Sequence, residues 1–246
     1  MFKKLIFGLC LWLFATTLSF GANLQDGYSA IKKGDYKTAF IIFEELAEKG
    51  DIEAQGNLGA MYEYGDGVRQ DYKKAKEWYE KAANQGDAEA QSNLGVMYRD
   101  GEGVRQDYKK AIEWFEKSAT QGYASAQYNL GLMYYNGQGV KQDYKKAIEW
   151  YEKSAFQGHS MAQNNLGVMY GDGEGVRQDY KKAIEWYEKS ANQGYASAQY
   201  NLGVMYYNGQ GLRQDKKRAK EWFGKACDGG YQNGCDNYKI LNQEGY

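Results

Sequence analysis

Residues 201–223 read NLGVMYYNGQGLRQDKKRAKEWF, and the same pattern occurs five times along the chain. Successive copies are 36 residues apart, with no insertion or deletion between them. The spacing is marked by one glycine and one tryptophan in each copy: Gly59, Gly95, Gly131, Gly167 and Gly203, and Trp78, Trp114, Trp150, Trp186 and Trp222. Self-similarity at a fixed period of roughly 20–50 residues is typical of stacked repeat proteins. The pattern therefore predicts an array of repeats.

Residues 87–122 show how one repeat is expected to fold. The apolar residues that share one face of a first helix are Ala90, Leu94, Met97 and Tyr98. Gly101 and Gly103 can take the positive φ angles that end this helix and turn the chain. Asp107 then stands where a carboxylate would cap a second helix. The repeat is predicted to be a helix–turn–helix pair.

The second helix of this repeat has an inner and an outer face. Its inner face is predicted to carry Tyr108, Ala111, Phe115 and Ala119. On the outer face, Lys109 and Glu113, and then Glu113 and Lys117, are spaced i,i+4. Ion pairs at this spacing stabilise a helix by only a few tenths of a kcal/mol each.

One helix pair cannot bury its apolar face alone, so neighbouring pairs are expected to stack. The predicted fold is all-α, a right-handed α/α solenoid of about five 36-residue repeats with half-repeat caps. The predicted boundaries are an N-terminal capping half-repeat at 22–50, five repeats at 51–230 and a C-terminal capping helix at 231–246. There is no proline and no linker-like composition, so no second domain is expected.

The N-terminal segment lies outside the array. Lys3 and Lys4 precede an uncharged run over residues 5–18, which is followed by the small residues of 19–22. This order is typical of a secretory signal peptide, here assigned to residues 1–21. The apolar run is shorter than the roughly 20 residues that span a bilayer. We therefore expect an exported protein, periplasmic or secreted, with no integral membrane segment after cleavage.

Neither the charges nor the titratable groups of the chain indicate an enzyme or a nucleic-acid-binding protein. The chain has 31 Lys and Arg against 32 Asp and Glu, so no net field attracts nucleic acid. The one histidine, His159, lies between repeats and is expected to be a turn residue. The zinc, phosphate-loop and serine-hydrolase motifs are absent. No catalytic residue, metal site or cofactor is predicted, and a monomer is expected.

The repeat resembles a known family. The string A-x-x-x-L-G-x-M-Y-x-x-G-x-G-V followed by D-Y-x-K-A-x-E-W-Y is similar to the Sel-one-like repeat, a relative of the tetratricopeptide repeat. Here it begins at Ala54, Leu58 and Gly59 and continues to Trp78 and Tyr79. The resemblance covers essentially all of 25–242. It implies an adaptor that holds a peptide or protein partner, and some exported bacterial members are implicated in host-cell contact.

Cys227 and Cys235 have a C-x7-C spacing similar to that of the Helicobacter cysteine-rich proteins. Those relatives have one disulfide in each unit, whereas the equivalent positions of the preceding repeat here are Ala191 and Gln199. The resemblance implies a disulfide that staples the terminal cap. A metal site or a reactive thiol is the alternative, although two cysteines without a nearby histidine make a poor zinc site.

Residues that differ between repeats are the best indicators of specificity, and they lie at two positions of the first helix. The first position has Gly56, Ser92, Tyr128, Asn164 and Tyr200, and the second has Glu63, Arg99, Tyr135, Gly171 and Tyr207. Both positions point away from the apolar face. In tetratricopeptide-like stacks the first helices line a concave groove, so by resemblance these residues would face a ligand.

Four of these variable residues are tyrosines, which recognition surfaces favour. Tyr128 with Tyr135, and Tyr200 with Tyr207, form i,i+7 pairs, so we place the ligand groove there, with Arg99 and Asn164 beside them. Alternatively, the tyrosines were only copied, because residues 101–139 and 173–211 are nearly duplicates.

A second candidate strip consists of asparagines that recur in every repeat. Asn93, Asn129, Asn165 and Asn201 belong to it together with Asn57. A side-chain amide offers both a donor and an acceptor, so the strip could hold a peptide backbone. The same amides could instead form hydrogen bonds between adjacent helices and hold the stack together.

The leading functional hypothesis is an exported scaffold that binds a peptide or protein in its groove. The alternative is a β-lactam or cell-wall-binding protein with weak β-lactamase activity, by resemblance to the cysteine-rich relatives alone. A serine β-lactamase would need S-x-x-K together with S-D-N and K-T-G. Only the first occurs, at Ser29 and Lys32.

Overall fold

The computed structural model describes residue 21 and residues 23–246. The signal peptide predicted at 1–21 therefore lies outside the described residues except for Gly21. Within the described part of the chain there are thirteen α-helices and no strand. They are α1 Leu24–Lys32, α2 Tyr36–Glu48, α3 Ile52–Tyr64, α4 Tyr72–Asn84, α5 Ala88–Asp100, α6 Tyr108–Thr120, α7 Ala124–Asn136, α8 Tyr144–Phe156, α9 Ser160–Asp172, α10 Tyr180–Asn192, α11 Ala196–Asn208, α12 Lys216–Asp228 and α13 Gln232–Gln243.

These helices belong to two compact units. The N-terminal unit runs to Met97 and includes Glu102–Arg105, and the C-terminal unit comprises Tyr98–Gly101 and Gln106–Tyr246. Within each unit consecutive helices pack as antiparallel pairs in a repeating array. The all-α solenoid class is confirmed.

Each helix begins and ends at the residues that the sequence marks. Asp107 caps α6 by accepting hydrogen bonds from the backbone N–H groups of Lys109 and Lys110, both at 3.1 Å. First helices end at a glycine in the left-handed region, such as Gly173 with φ 77°. The aspartate satisfies N–H groups that a helix start leaves free, and the glycine reverses the chain without a Cβ clash. The predicted helix–turn–helix unit is thus confirmed.

In four repeats the glycine of the Leu-Gly pair, at positions 59, 131, 167 and 203, lies under an aromatic ring of the second helix. A Cβ atom on Gly131 would lie 2.5 Å from Cδ1 of Tyr151, and one on Gly203 would lie 2.7 Å from Cδ1 of Phe223. Both aromatic side chains are buried. Because no side chain fits beneath the ring, the glycine is required for close packing of the two helices of a pair.

A second glycine sets the contact between successive repeats. Gly139 has φ 73°, and a Cβ there would lie 2.8 Å from Cβ of Tyr108, the first residue of α6. Gly175 meets Tyr144 of α8 in the same way, at 2.6 Å. The turn of each repeat therefore lies directly on the start of the preceding second helix. As a result, the turns of the C-terminal unit form a continuous row.

Buried glutamines link the repeats through a recurring set of hydrogen bonds. Gln127 Nε2 donates to the carbonyl of Ala119 at 3.1 Å, and its Oε1 accepts from Gln157 Nε2 at 2.8 Å. The series ends at Gln199, whose buried Oε1 makes no hydrogen bond. The reason is that Gly229 occupies the position that Gln157 has two repeats earlier.

The structure shows no i,i+4 ion pair in α6. Lys117 Nζ instead lies 3.9 Å from the centroid of the Trp114 ring, three residues earlier. The same lysine–tryptophan contact recurs in α4, α8, α10 and α12, at 3.5–4.0 Å. The half-buried tryptophan ring competes with the carboxylate for the ammonium group.

The C-terminal end of the array is covalently fastened. A disulfide joins Cys227 of α12 to Cys235 of α13, with the two Cα atoms 4.5 Å apart. The predicted pairing is confirmed. At the other end α1 has nine residues, against thirteen in α3, which is consistent with a shortened first helix.

Replacing Gly131 by alanine should destabilise the protein, because the new methyl group overlaps the Tyr151 ring. Overpacking of this kind costs about 1–3 kcal/mol. The matched control is Gly56→Ala, at a helical glycine that has no atom within 4 Å of the added Cβ. That change should stabilise its helix by up to about 1 kcal/mol. Urea unfolding followed by circular dichroism would contradict the packing argument if both variants shifted in the same direction.

Reduction of Cys227–Cys235 should loosen α13 before any other helix of the C-terminal unit. A loop of this length contributes about 2–3 kcal/mol by the chain-entropy model, and each repeat contacts only its neighbours. Hydrogen exchange should therefore rise at 232–243 on reduction while α8 and α9 stay protected. An equal rise throughout the unit would contradict local stapling, and Cys227→Ser with Cys235→Ser should reproduce the reduced state.

Candidate functional site

Tyr128 is held on the first-helix surface of the C-terminal unit by two other rings. It stacks on His159 with centroids 4.7 Å apart and planes at 27°, and its centroid lies 5.8 Å from that of Tyr151. Burial raises the pKa of the Tyr128 hydroxyl, so the hydroxyl stays protonated. Its ring is thus fixed before any ligand arrives.

Tyr151 lies beneath this surface and contributes a buried polar group. Its side chain is 1% exposed, and its hydroxyl makes no hydrogen bond in the described structure. Burial raises the pKa of the Tyr151 hydroxyl. The nearby amide of Asn165 partly offsets this rise in pKa, although it forms no hydrogen bond with the hydroxyl. An unpaired buried hydroxyl is costly, and a ligand that reached it would remove that cost.

Tyr135 lies seven residues, about two helical turns, further along α7 than Tyr128, beside a carboxylate. Its ring centroid is 5.3 Å from that of Tyr144. Burial and the neighbouring Glu174 carboxylate raise the pKa of Tyr135 to about 12, so its hydroxyl is a donor at every physiological pH. Glu174 Oε2 is buried and accepts no hydrogen bond in the described structure.

The tyrosines of α11 are held in a similar way. The Tyr200 centroid lies 5.6 Å from that of Phe223 and 5.0 Å from that of Tyr231. Tyr207 has Lys216 Nζ 5.5 Å from its ring centroid. With Phe223, Asn237, Ile240 and Leu241, Tyr207 also lines a cleft of about 110 Å³. All four tyrosines of the predicted groove are therefore partly buried, each against another side chain.

Arg99 and Asn129 form one hydrogen-bonded group. Arg99 Nη1 donates to Asn129 Oδ1 at 2.7 Å, while its Nε and Nη2 donate to the two carboxylate oxygens of Asp100 at 2.8 and 2.7 Å. Asn129 is 9% exposed. The guanidinium is thus already partnered within the unit, which leaves it a smaller role in ligand binding than a free arginine would have.

The other predicted asparagines bond to one another or line a different cavity. Asn201 Nδ2 donates to Asn164 Oδ1 at 3.0 Å, from α11 to α9, and Asn164 Nδ2 donates to Asn165 Oδ1 at 3.4 Å. Asn93 lies in the N-terminal unit and lines the cavity described below. The structure brings Asn164, Asn165 and Asn201 together.

The two variable positions do not all point away from the apolar face, as the helix periodicity predicted. Ser92 is 2% exposed, Asn164 is 7% exposed and Gly171 is buried. A helix inside an array packs against the next helix pair as well as against its own partner. Periodicity within one helix therefore identifies the face that packs on its own partner helix. It does not identify the face that packs on the next helix pair.

His159 is a satisfied turn residue, as the sequence predicted. It caps α9, with Nδ1 accepting a hydrogen bond from the backbone N–H of Ala162 at 3.3 Å. Burial lowers the pKa of its imidazole. The stacking of Tyr128 on this ring had no sequence signal, because the two residues lie 31 positions apart in consecutive helix pairs.

A polar cavity in the N-terminal unit was not predicted. Its volume is about 360 Å³ and its lining includes Tyr28, Glu53, Asn57 and Glu89. Tyr28 Oη donates to Glu53 Oε1 at 2.7 Å and accepts from Asn57 Nδ2 at the same distance. Glu53 and Glu89 stand at the position that Ser125 and Ser197 have in the C-terminal unit. Glu63, at the second variable position, lies outside this lining and accepts a hydrogen bond from the Tyr79 hydroxyl at 2.6 Å.

Among the described residues no group of His, Cys, Asp and Glu side chains could hold a metal ion. None of the helices in that part of the chain is long and apolar enough to cross a membrane. Ser29 and Lys32 lie on α1, and the structure shows no hydrogen bond between their side chains there.

Paired helices of equal length, stacked at a constant period, define an α-solenoid repeat protein. The Sel1 repeat model matches residues 21–51, 52–87, 88–123, 124–159, 160–195 and 196–231, so the chain belongs to the Sel1 repeat family. The first match covers the segment predicted as an N-terminal half-repeat. Comparison with curated proteins gave no match.

Solved structures of the same family are similar to this chain. A protective antigen of uropathogenic Escherichia coli, c5321, is 38% identical with a TM-score of 0.82, over 90% of this chain and 48% of the antigen. The chain thus spans about half of that protein. A Sel1 repeat protein from Oxalobacter formigenes is 36% identical, with a TM-score of 0.82 and 86% of each chain covered. Helicobacter pylori cysteine-rich protein B is 25% identical over 55% of this chain and 98% of its own, with a TM-score of 0.44.

Lowering the pH should destabilise the protein over the pH range in which His159 becomes protonated. Because its folded pKa is lowered, the unfolded chain takes up the proton more readily, and stability is lost as the pH falls through the unfolded value of about 6.5. The variant His159→Asp copies the cap that Asp87 provides for α5. It should therefore lack the loss of stability that protonation of His159 causes. Thermal unfolding between pH 7.5 and pH 5 would contradict the assignment if both proteins lost equal stability.

Proposed function

We propose that this protein is an exported scaffold that binds a peptide or protein segment on the first-helix surface of its C-terminal unit. The observation that supports this most is the fixed state of Tyr128, Tyr135, Tyr200 and Tyr207. Each ring packs against another side chain while occupying a position that varies between repeats. Rigid tyrosines lose little conformational entropy on binding, so they suit a recognition surface.

Polar groups on the same surface suit an extended peptide. Tyr151 and Glu174 have buried oxygen atoms without hydrogen-bond partners. A peptide backbone offers N–H donors and carbonyl acceptors at regular intervals, and amides such as that of Asn165 can meet both. The tyrosine rings would cover apolar side chains of the ligand, and the polar groups would set its register.

Export is the second part of the proposal. It is supported by the N-terminal leader pattern and by a disulfide, which persists in oxidising compartments. The similar E. coli protein is described as a protective antigen. From that likeness we extend the proposal to contact with a host cell.

Selection of peptides from a phage-displayed library against the oxidised chain, without residues 1–21, tests the binding surface. Tyr128→Asn with Tyr200→Asn introduces the residue that the fourth repeat has at this position, Asn164, so the fold should tolerate the change. We expect the dissociation constant of selected peptides to rise at least tenfold, about 1.4 kcal/mol. Isothermal calorimetry would measure it.

The control for this experiment is Tyr64→Asn in the N-terminal unit, where the tyrosine is 69% exposed. It removes a ring of the same kind from outside the proposed surface. Its affinity should equal that of the unchanged protein, and circular dichroism should be the same for all three proteins. Equal affinity of the Tyr128 and Tyr200 variant would remove these tyrosines from the site.

A further inference from the structure

Cations cluster where each second helix of the C-terminal unit begins. One precedes the capping aspartate and two follow it, and all are exposed. In α8 and α10 they are Lys141, Lys145, Lys146, Arg177, Lys181 and Lys182. We call this set, with Lys109 and Lys110 of α6 and the equivalent residues 213, 217 and 218 of the last repeat, the basic edge.

Stability of the helices does not explain these lysines. The N-terminus of a helix carries a partial positive charge, so cations in the first turn are unfavourable. The first turn of α10 contains no acidic residue, and the cap Asp179 is already bonded to the backbone N–H groups of Lys181 and Lys182 at 3.1 Å each. Lys182 gains a contact with the Tyr170 ring, at 5.1 Å. Lys181 has no corresponding ring or ion pair within the described residues.

The fold aligns these groups in a row. Gly175 packs on Tyr144 at the start of α8, and Gly211 packs on Tyr180 at the start of α10. Successive helix starts are therefore adjacent, and their cations lie along one side of the unit. A cleft of about 660 Å³ opens on this side, lined by Arg177, Lys181 and Lys182 together with Gly211.

The near-neutral net charge conceals this local field. The whole chain has 31 Lys and Arg and 32 Asp and Glu. The only carboxylate within the segment that runs from Arg177 to Lys182 is the capping Asp179. Arg218 pairs with its capping Asp215 at 3.7 Å, whereas the lysines of the basic edge form no ion pair within the described residues. A row of exposed lysines attracts an extended polyanion and binds it with a strong dependence on salt.

We propose that the basic edge binds an anionic polysaccharide. A single-stranded nucleic acid would need free aromatic faces for stacking, whereas Lys146 and Lys182 lie over the rings of Tyr134 and Tyr170. Insertion into a lipid surface would need exposed apolar side chains, and among the described residues none of the large exposed ones lies on this edge. A polysaccharide needs neither. This site consists of different residues from the proposed peptide surface, which adjoins it where Tyr135 contacts Tyr144, and it goes beyond that function.

Heparin, used as the probe, tests the proposal with the oxidised chain lacking residues 1–21. The test variant replaces the second residue of each second helix by glutamine, at Lys109, Lys145, Lys181 and Lys217. The matched control removes four charges from the same helices, at Lys117, Lys153, Lys189 and Lys225 over their tryptophan rings. We expect heparin binding to weaken at least tenfold in the test variant only, with a shallower salt dependence.

Thermal unfolding provides a second readout. The test variant should have an equal or higher Tm, because it removes cations from the positive ends of four helices. Equal loss of heparin binding in both variants would overturn the proposal, as would absence of binding by the unchanged protein. Tighter binding to single-stranded DNA or to phosphatidylserine vesicles at the same ionic strength would overturn the polysaccharide assignment. None of these failures bears on the peptide surface, which the tyrosine variants test.

Discussion

The contact between a bare glycine of the first helix and an aromatic ring of the second is the constraint on which the rest of the structure depends. It brings the two helices close enough to bury the ring of Tyr151 on Gly131, and the same contact recurs in other repeats. Close packing of this kind leaves no room for a side chain, so it fixes the distance within each helix pair. The turn glycines then fix the distance between successive pairs, and the glutamine hydrogen bonds follow from both.

This division of roles separates structural from functional residues. The residues that make the glycine–ring, turn and glutamine contacts recur with the period of the array, because every repeat needs them. The residues at the first-helix positions vary, from Glu63 in the N-terminal unit to Tyr135 in the C-terminal unit. The same scaffold presents the carboxylates of Glu53 and Glu89 around a cavity in one unit and tyrosines on a surface in the other. In a repeat protein this variation is the means by which one fold acquires different ligands.

Two kinds of surface in the C-terminal unit differ in their physics. The tyrosine surface is partly buried and preorganised, so its contribution to binding would come from area and shape. The basic edge is exposed and screened by salt, so its contribution would come from long-range attraction. The edge also places lysines where the helix dipole disfavours them, which is a local departure from the most stable sequence. Such departures are expected at functional sites rather than in structural repeats.

The sequence by itself determined the period, the helix–turn–helix unit, the Asp107 cap and the inner residues, because these depend on contacts within about ten residues. It also indicated the disulfide, through spacing and resemblance. Only the tertiary structure decided that Tyr128 stacks on His159, that Asn164 is buried and bonded to Asn201, and that Lys117 contacts Trp114 instead of Glu113. The first two are contacts between repeats, and the third is a competition between two partners on one helix. Helix periodicity shows which face of a helix packs on its nearest partner. It cannot show which residues the next helix pair buries.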